Sequence, residues 1–179
     1  MPKSVVLTAG VLASTWSALV LGCWEEASSR FHLNPELLYA IAKCESGLRP
    51  NIVNRSRMTS TGTYDIGLMQ INSSNLRRLK AYGISEQDLY DTCTNIQVGA
   101  WILAGEIKRH GYSWEAVGAY NAACIGSTRE ECDAVRSRYA WCVYRNIAVP
   151  FTPSVSASHS HLLVEQVQLM PIIASRVAR

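Results

Sequence analysis

Apolar residues recur three and four positions apart along most of this chain, and the breaks in that rhythm mark its elements. From Asn34 to Gly47 the stripe is Leu38, Ile41 and Ala42, with Asn34 suited to an N-cap, Pro35 to the first helical position and Gly47 to the stop. Ser73 or Ser74 is expected to cap a helix through Leu76, Leu79 and Tyr82 that closes at Gly83, and Ser85 to Asp88 predicts a single capped turn. Thr94 is expected to open the clearest amphipathic helix, whose seam is Ile96, Gly99, Leu103 and Ile107 and whose end is Gly111. Ser113 predicts a short helix carrying Trp114, Val117 and Tyr120. Thr128 to Glu131 resembles a capping box for a last helix, on which Cys132, Val135, Tyr139, Cys142 and Val143 share a face. Glu25 to Phe31 reads as a short helical turn. Arg49 to Tyr64 breaks the rhythm and reads as a long loop or a poor hairpin. The expected fold is mainly α, built as a single domain without internal repeats.

One position violates the pattern. Glu45 falls four residues beyond Ile41 on the same apolar stripe, where an apolar side chain is expected. A carboxyl held against apolar neighbours is harder to ionise, stays protonated near neutral pH and can act as a general acid. The bland alternative is a solvent-facing Glu at a helix end, which the rarity of buried Glu favours. Helix position alone does not decide between them.

Both ends of the chain lie outside the helical rhythm. Lys3 precedes an uncharged run from Val5 to Gly22, diluted by Ser14, Thr15 and Ser17, and the first acidic residue is Glu25. Such a run predicts a cleaved export signal over residues 1–22 rather than a membrane span, and hence the periplasm as destination. Residues 23–147 form the expected folded unit, and 148–179 a linker and tail. Within that tail, Phe151 to His161 is rich in Ser, Pro and His, while Leu162 to Arg179 is an apolar stretch, interrupted by Pro171, suited to a short helix or a docking segment. His159 and His161 read as solvated, since no further ligand residue lies nearby.

Composition narrows the function classes. With 48% hydrophobic and 17% charged residues the chain is not disordered. A formal charge of +3, with no basic stripe and no zinc-type Cys/His spacing, points away from nucleic acid, metal and cofactor. Six cysteines in an exported chain predict three disulfides. Val20-Leu21-Gly22-Cys23 also reads as a loose lipobox, but a lipid on Cys23 would leave an odd number of thiols. Cys132 and Cys142 lie on one helix, about 15 Å apart and beyond disulfide reach.

Four segments in register carry a family resemblance. Glu45-Ser46 ends the first strong helix, Gly67-Leu68-Met69-Gln70-Ile71-Asn72 follows, Asn95-Ile96 with Val98-Gly99-Ala100 lies on the long helix, and Ala119-Tyr120-Asn121-Ala122 comes last. Over residues 23–147 the chain resembles the lytic transglycosylases with a goose-type-lysozyme-like catalytic domain, most of all the small exported members that accompany secretion, conjugation and pilus machines. The resemblance implies a lysozyme-like, disulfide-stapled domain acting on the peptidoglycan glycan strand, with one of those machines as a partner. It also implies a Cys23–Cys93 bridge. Two arrangements of the other cysteines then stay open, Cys44–Cys142 with Cys124–Cys132 or Cys44–Cys132 with Cys124–Cys142, the first preferred slightly for its short local loop.

The implied reaction cleaves the β-1,4 bond between N-acetylmuramic acid and N-acetylglucosamine and leaves a 1,6-anhydro sugar. Most glycosidases need two carboxyls; here Glu45 would serve as acid and then as base. By the same resemblance Tyr120 would set its hydroxyl on or near Glu45 and the sugar, and Gln70 would bond the substrate unless it braces its loop. Asn121 would hold the loop backbone or touch substrate, and Ser46 would orient the Glu45 region or cap backbone groups. Two departures stand out. The family usually has Gly where this chain has Ala123, which would be strained if φ there is positive. Asp65 would permit a hydrolytic, muramidase reaction if it entered the cleft. A non-catalytic peptidoglycan-binding assembly subunit is the remaining alternative.

Overall fold

The computed structural model describes residues 12–147. Residues 1–11 of the expected signal and all of 148–179, with His159 and His161, lie outside the described residues. Helix α1 (Leu12–Phe31) runs unbroken through Gly22, so the turn expected at Glu25 to Phe31 is the last part of a longer helix. No residue between Gly22 and Phe31 interrupts the hydrogen-bond ladder, which is why it does not stop there. Among the described residues no helix is long and apolar enough to cross a membrane.

Helix α2 (Pro35–Ser46) follows the expected pattern. The Asn34 side chain accepts from the Glu36 and Leu37 amides, and Gly47 turns left-handed at the C-terminus. Leu38, Ile41 and Ala42 are fully buried on its inner face. The stretch after it is a small three-stranded antiparallel sheet, β1 (Val53–Asn54), β2 (Asp65–Ile66) and β3 (Ile71–Asn72), with one helical turn, α3 (Met58–Thr61), between the first two strands. A short 3-10 turn leads into α4 (Leu76–Lys80), and its cap is Asn72 rather than Ser73 or Ser74. The Ser73 hydroxyl instead accepts the Tyr64 amide.

The long helix α5 (Thr92–His110) starts two residues before the expected Thr94, because the Asp91 carboxylate accepts the Thr94 amide and sets the cap upstream. Helix α6 (Trp114–Asn121) is capped by Ser113, and α7 (Arg129–Asn146) by the reciprocal Thr128–Glu131 box. The core forms where α1 packs on α5 and α2, α5 on α6, α6 on α7, and α7 back on α2. The whole is a mainly helical, lysozyme-like domain.

Three disulfides staple it: Cys23–Cys93 between α1 and α5, Cys44–Cys142 between α2 and α7, and Cys124–Cys132 at the entry to α7. The first matches the bridge that the resemblance implied, and the other two are the slightly preferred arrangement.

Candidate active site

Glu45 sits in the last turn of α2, one turn beyond the fully buried Ile41. Its carboxylate oxygen Oε1 accepts a hydrogen bond from the Tyr139 hydroxyl at 2.6 Å. Burial pushes its pKa from 4.5 up to about 7; the Tyr139 hydrogen bond draws it down, the nearby Asp65 charge raises it, and Arg57 lowers it. The hydroxyls of Tyr139 and Tyr120 are both held well above their ordinary pKa of 10, by burial first and by the Glu45 charge second, so both remain donors.

Tyr139 comes from the middle of α7, on the face that also buries Val143 and carries Cys142. Its ring stacks on Tyr120 from α6, with centroids 6.5 Å apart and planes 19° from parallel. The hydroxyl that reaches Glu45 is therefore Tyr139's. That of Tyr120 donates to the Met69 carbonyl at 2.8 Å, so Tyr120 lies near the carboxyl without bonding it. Sequence periodicity placed Tyr139 on a packing face and gave no further sign of this role.

The Gly67–Gln70 turn is tied down by three helices. Ser46 on α2 donates to the Leu68 carbonyl at 2.7 Å, and Asn95 on α5 accepts the Met69 amide at 2.7 Å while donating to the carbonyls of Ile66 and Leu89. Tyr120 on α6 takes the Met69 carbonyl. Gly67 has φ +76, and a Cβ there would lie 2.3 Å from the Asn95 amide nitrogen and 2.8 Å from the Leu89 carbonyl. Only glycine lets the backbone approach so closely.

These bonds show which groups several of the expected site residues engage. Ser46 is 1% exposed and spends its hydroxyl on the loop, so it is not in contact with the cleft. Gln70 braces the same turn, its Nε2 donating to the carbonyls of Gly67 at 2.8 Å and Ile52 at 3.3 Å. Asn121 stands in the cleft wall beside Tyr120. Ala123 does not have a positive φ; the left-handed residue is the next one, Cys124, at φ 55, and its bridge to Cys132 holds the turn.

Asp65 pairs with Asn72 across the sheet, and Ile66 with Ile71. Since Ile66 is fully buried, strand alternation turns Asp65 to the opposite face, where its Oδ1 accepts from Asn72 Nδ2 at 2.8 Å and its charge reaches Glu45. It both braces the hairpin and faces the site. The cleft itself has a volume of about 570 Å³ and is walled by Arg57, Asn72, Arg78, Trp101, Tyr120 and Asn121 among others. Glu45 does not line it, but two of its wall residues, Tyr120 and Arg57, are close enough for their electrostatics to couple to the Glu45 carboxyl. Among the described residues no group of His, Cys, Asp and Glu could hold a metal ion.

A family model for the transglycosylase SLT domain matches residues 22–138. The chain belongs to the SLT transglycosylase family. Its relatives include the invasion protein IagB of Salmonella typhimurium strain LT2, 48% identical over 125 residues that make up 69% of this chain and 74% of that protein. The protein IpgF of Shigella flexneri is 37% identical over 69% of this chain and 77% of its own length, and the X polypeptide of Escherichia coli strain K12 is 40% identical over 69% and 70%. The SLT match spans every residue of the constellation except Tyr139, which lies one position past its end.

Proposed function

We propose that this SLT-domain protein is a peptidoglycan lytic transglycosylase with Glu45 as its sole proton-transfer group. The observation that carries this is a single partly buried carboxyl with a pKa of about 7, held by Tyr139 beside a cleft. A group poised near neutrality is protonated often enough to act as an acid, and its conjugate is basic enough to take a proton back.

Protonated Glu45 donates to the glycosidic oxygen between N-acetylmuramic acid and N-acetylglucosamine. The C1–O bond breaks and the N-acetylglucosamine hydroxyl leaves. The Glu45 carboxylate then accepts the proton of the muramyl 6-hydroxyl as its oxygen closes on C1. The product is a 1,6-anhydro sugar, Glu45 regains its proton and no water is consumed. Residues 23–147 are the catalytic unit in this scheme, working in the periplasm after removal of residues 1–22. A relative named as an invasion protein supports local wall opening for an envelope-spanning machine as the biological setting.

Mass spectrometry of digested peptidoglycan tests the scheme. Anhydromuramyl ends are expected, and reducing muramyl ends in their place would reject it. The position of Asp65 beside Glu45 favours a second scheme, hydrolysis with Asp65 as the other carboxylate. Asp65→Asn is expected to keep anhydro-product formation; loss of activity together with reducing ends in the wild-type digest would favour hydrolysis.

A further inference from the structure

Helix α7 has a second face that the site does not use. Tyr139 and Val143 pack against the core, while Trp141 and Tyr144, on the opposite side of the same helix, are 60% and 55% exposed. Trp114 at the start of α6 and Tyr112 just before it are 47% and 57% exposed. These four rings border two neighbouring hollows that share Trp114 as a wall. One, of about 230 Å³, is lined by Leu37, Ile107, Tyr112 and Ile147 among others; the other, of about 300 Å³, by Ala140, Trp141 and Tyr144. Tyr144 meets both indoles edge-on, its centroid 5.7 Å from that of Trp114 and 5.3 Å from that of Trp141, so each ring fixes its neighbour's plane. Apolar surface this continuous marks an interaction site.

The chain itself supplies an occupant. Its described part ends at Ile147, which already lines the first hollow and has left the helix with extended backbone, φ -70 and ψ 108. The next residues are Ala148-Val149-Pro150-Phe151-Thr152-Pro153, without a charge. Val149 and Thr152 each precede a proline and are thereby biased to extended backbone, and Pro150 and Pro153 stand one polyproline II turn apart, about 9 Å. That span is comparable with the two ring-to-ring steps from Trp114 through Tyr144 to Trp141. Aromatic-lined grooves suit such segments for a physical reason. Proline rings lie against aromatic faces, and indole N–H and phenol O–H groups donate to the carbonyls that polyproline II leaves without internal partners. Reach is sufficient. Trp141 lies about 9 Å back along α7 from Ile147, and extended chain from Ile147 to Pro153 covers up to about 20 Å. We propose that residues 149–153 fold back over Trp114 and dock in this aromatic groove, tethering the tail to the α6–α7 pair on the face of α7 turned away from Glu45. Because the segment is covalently attached, contacts too weak to hold a free peptide suffice.

Chymotrypsin cleavage of the full chain after Phe151, read by mass spectrometry and referred to free peptides of the same 148–155 sequence, tests this. Docking is expected to slow cleavage about tenfold relative to the free peptide, the value of one or two aromatic contacts. Protection should be lost, to within about twofold of the matching peptide, in Trp114→Ala/Trp141→Ala and equally in Pro150→Ala/Pro153→Ala, the second of which leaves every described residue untouched. It should also be independent of protein concentration, as an intramolecular contact requires. Protection that rises with concentration would assign the groove to a second copy of the chain and overturn the proposal. Cleavage of the wild type at the peptide's rate, or protection retained in either double variant, would overturn it as well.

Discussion

In the proposed scheme Glu45 has to be neutral when substrate arrives and charged a moment later, and its surroundings divide that work. Burial favours the neutral form, while the Tyr139 hydroxyl stabilises the charged one. Folding raises the pKa from 4.5 to about 7, so between those pH values the folded chain holds more protons than the unfolded one. Stability therefore falls as pH rises across that window, by about 3 kcal/mol at most. Glu45→Gln should abolish wall cleavage yet be more stable than wild type at pH 8, with the difference vanishing below about pH 4.5; paired denaturation curves at the two pH values check this. Activity should decline above pH 7 as the acid form is lost. Tyr139→Phe removes the bond that lowers the carboxyl's pKa, so that decline should move to higher pH while kcat drops about tenfold. An unshifted pH profile would mean that Tyr139 only packs.

At the scale of elements, the site depends on how closely α6 and α7 approach. Gly118 faces Arg136 across that contact, and a Cβ on it would lie 2.6 Å from the Arg136 Cβ and 2.9 Å from its carbonyl oxygen. Much of that contact is backbone, which cannot rotate away. Gly118→Ala is expected to cost about 1–3 kcal/mol and to shift Tyr139 against Tyr120. A melting curve should show the first effect and reduced cleavage at an unchanged fold the second. The helices themselves were legible because each announces its ends: Asn34 with Pro35, Ser113, and Thr128 with Glu131 all cap as their chemistry requires. The misplaced starts at Thr94 and at Ser73 or Ser74 have one cause. A stronger cap, Asp91 or Asn72, stands one to three residues upstream, and only the hydrogen bonds show which side chain wins.

For the molecule as a whole, Cys44–Cys142 ties α2 to α7 one residue from Glu45 and three from Tyr139, across 98 residues of chain. Replacing both cysteines by Ala should cost about 2–5 kcal/mol, against about 2–3 kcal/mol for Cys124–Cys132 with its short loop. Thermal unfolding of the two double variants measures the difference, and activity should suffer more in the first because it clamps the acid to its donor. The periodicity and cap residues of this sequence determined by themselves that the domain is helical, and Glu45 on an apolar stripe stood out as the candidate for the proposed proton transfer. Both signals are local, written within one or two helical turns. Which tyrosine touches Glu45, and that Ser46, Gln70 and Asn95 hold a loop, were decided only by tertiary structure. Those roles depend on contacts across 94 residues in the case of Tyr139 and Glu45, and on which carbonyls remain unpaired once the helices have packed.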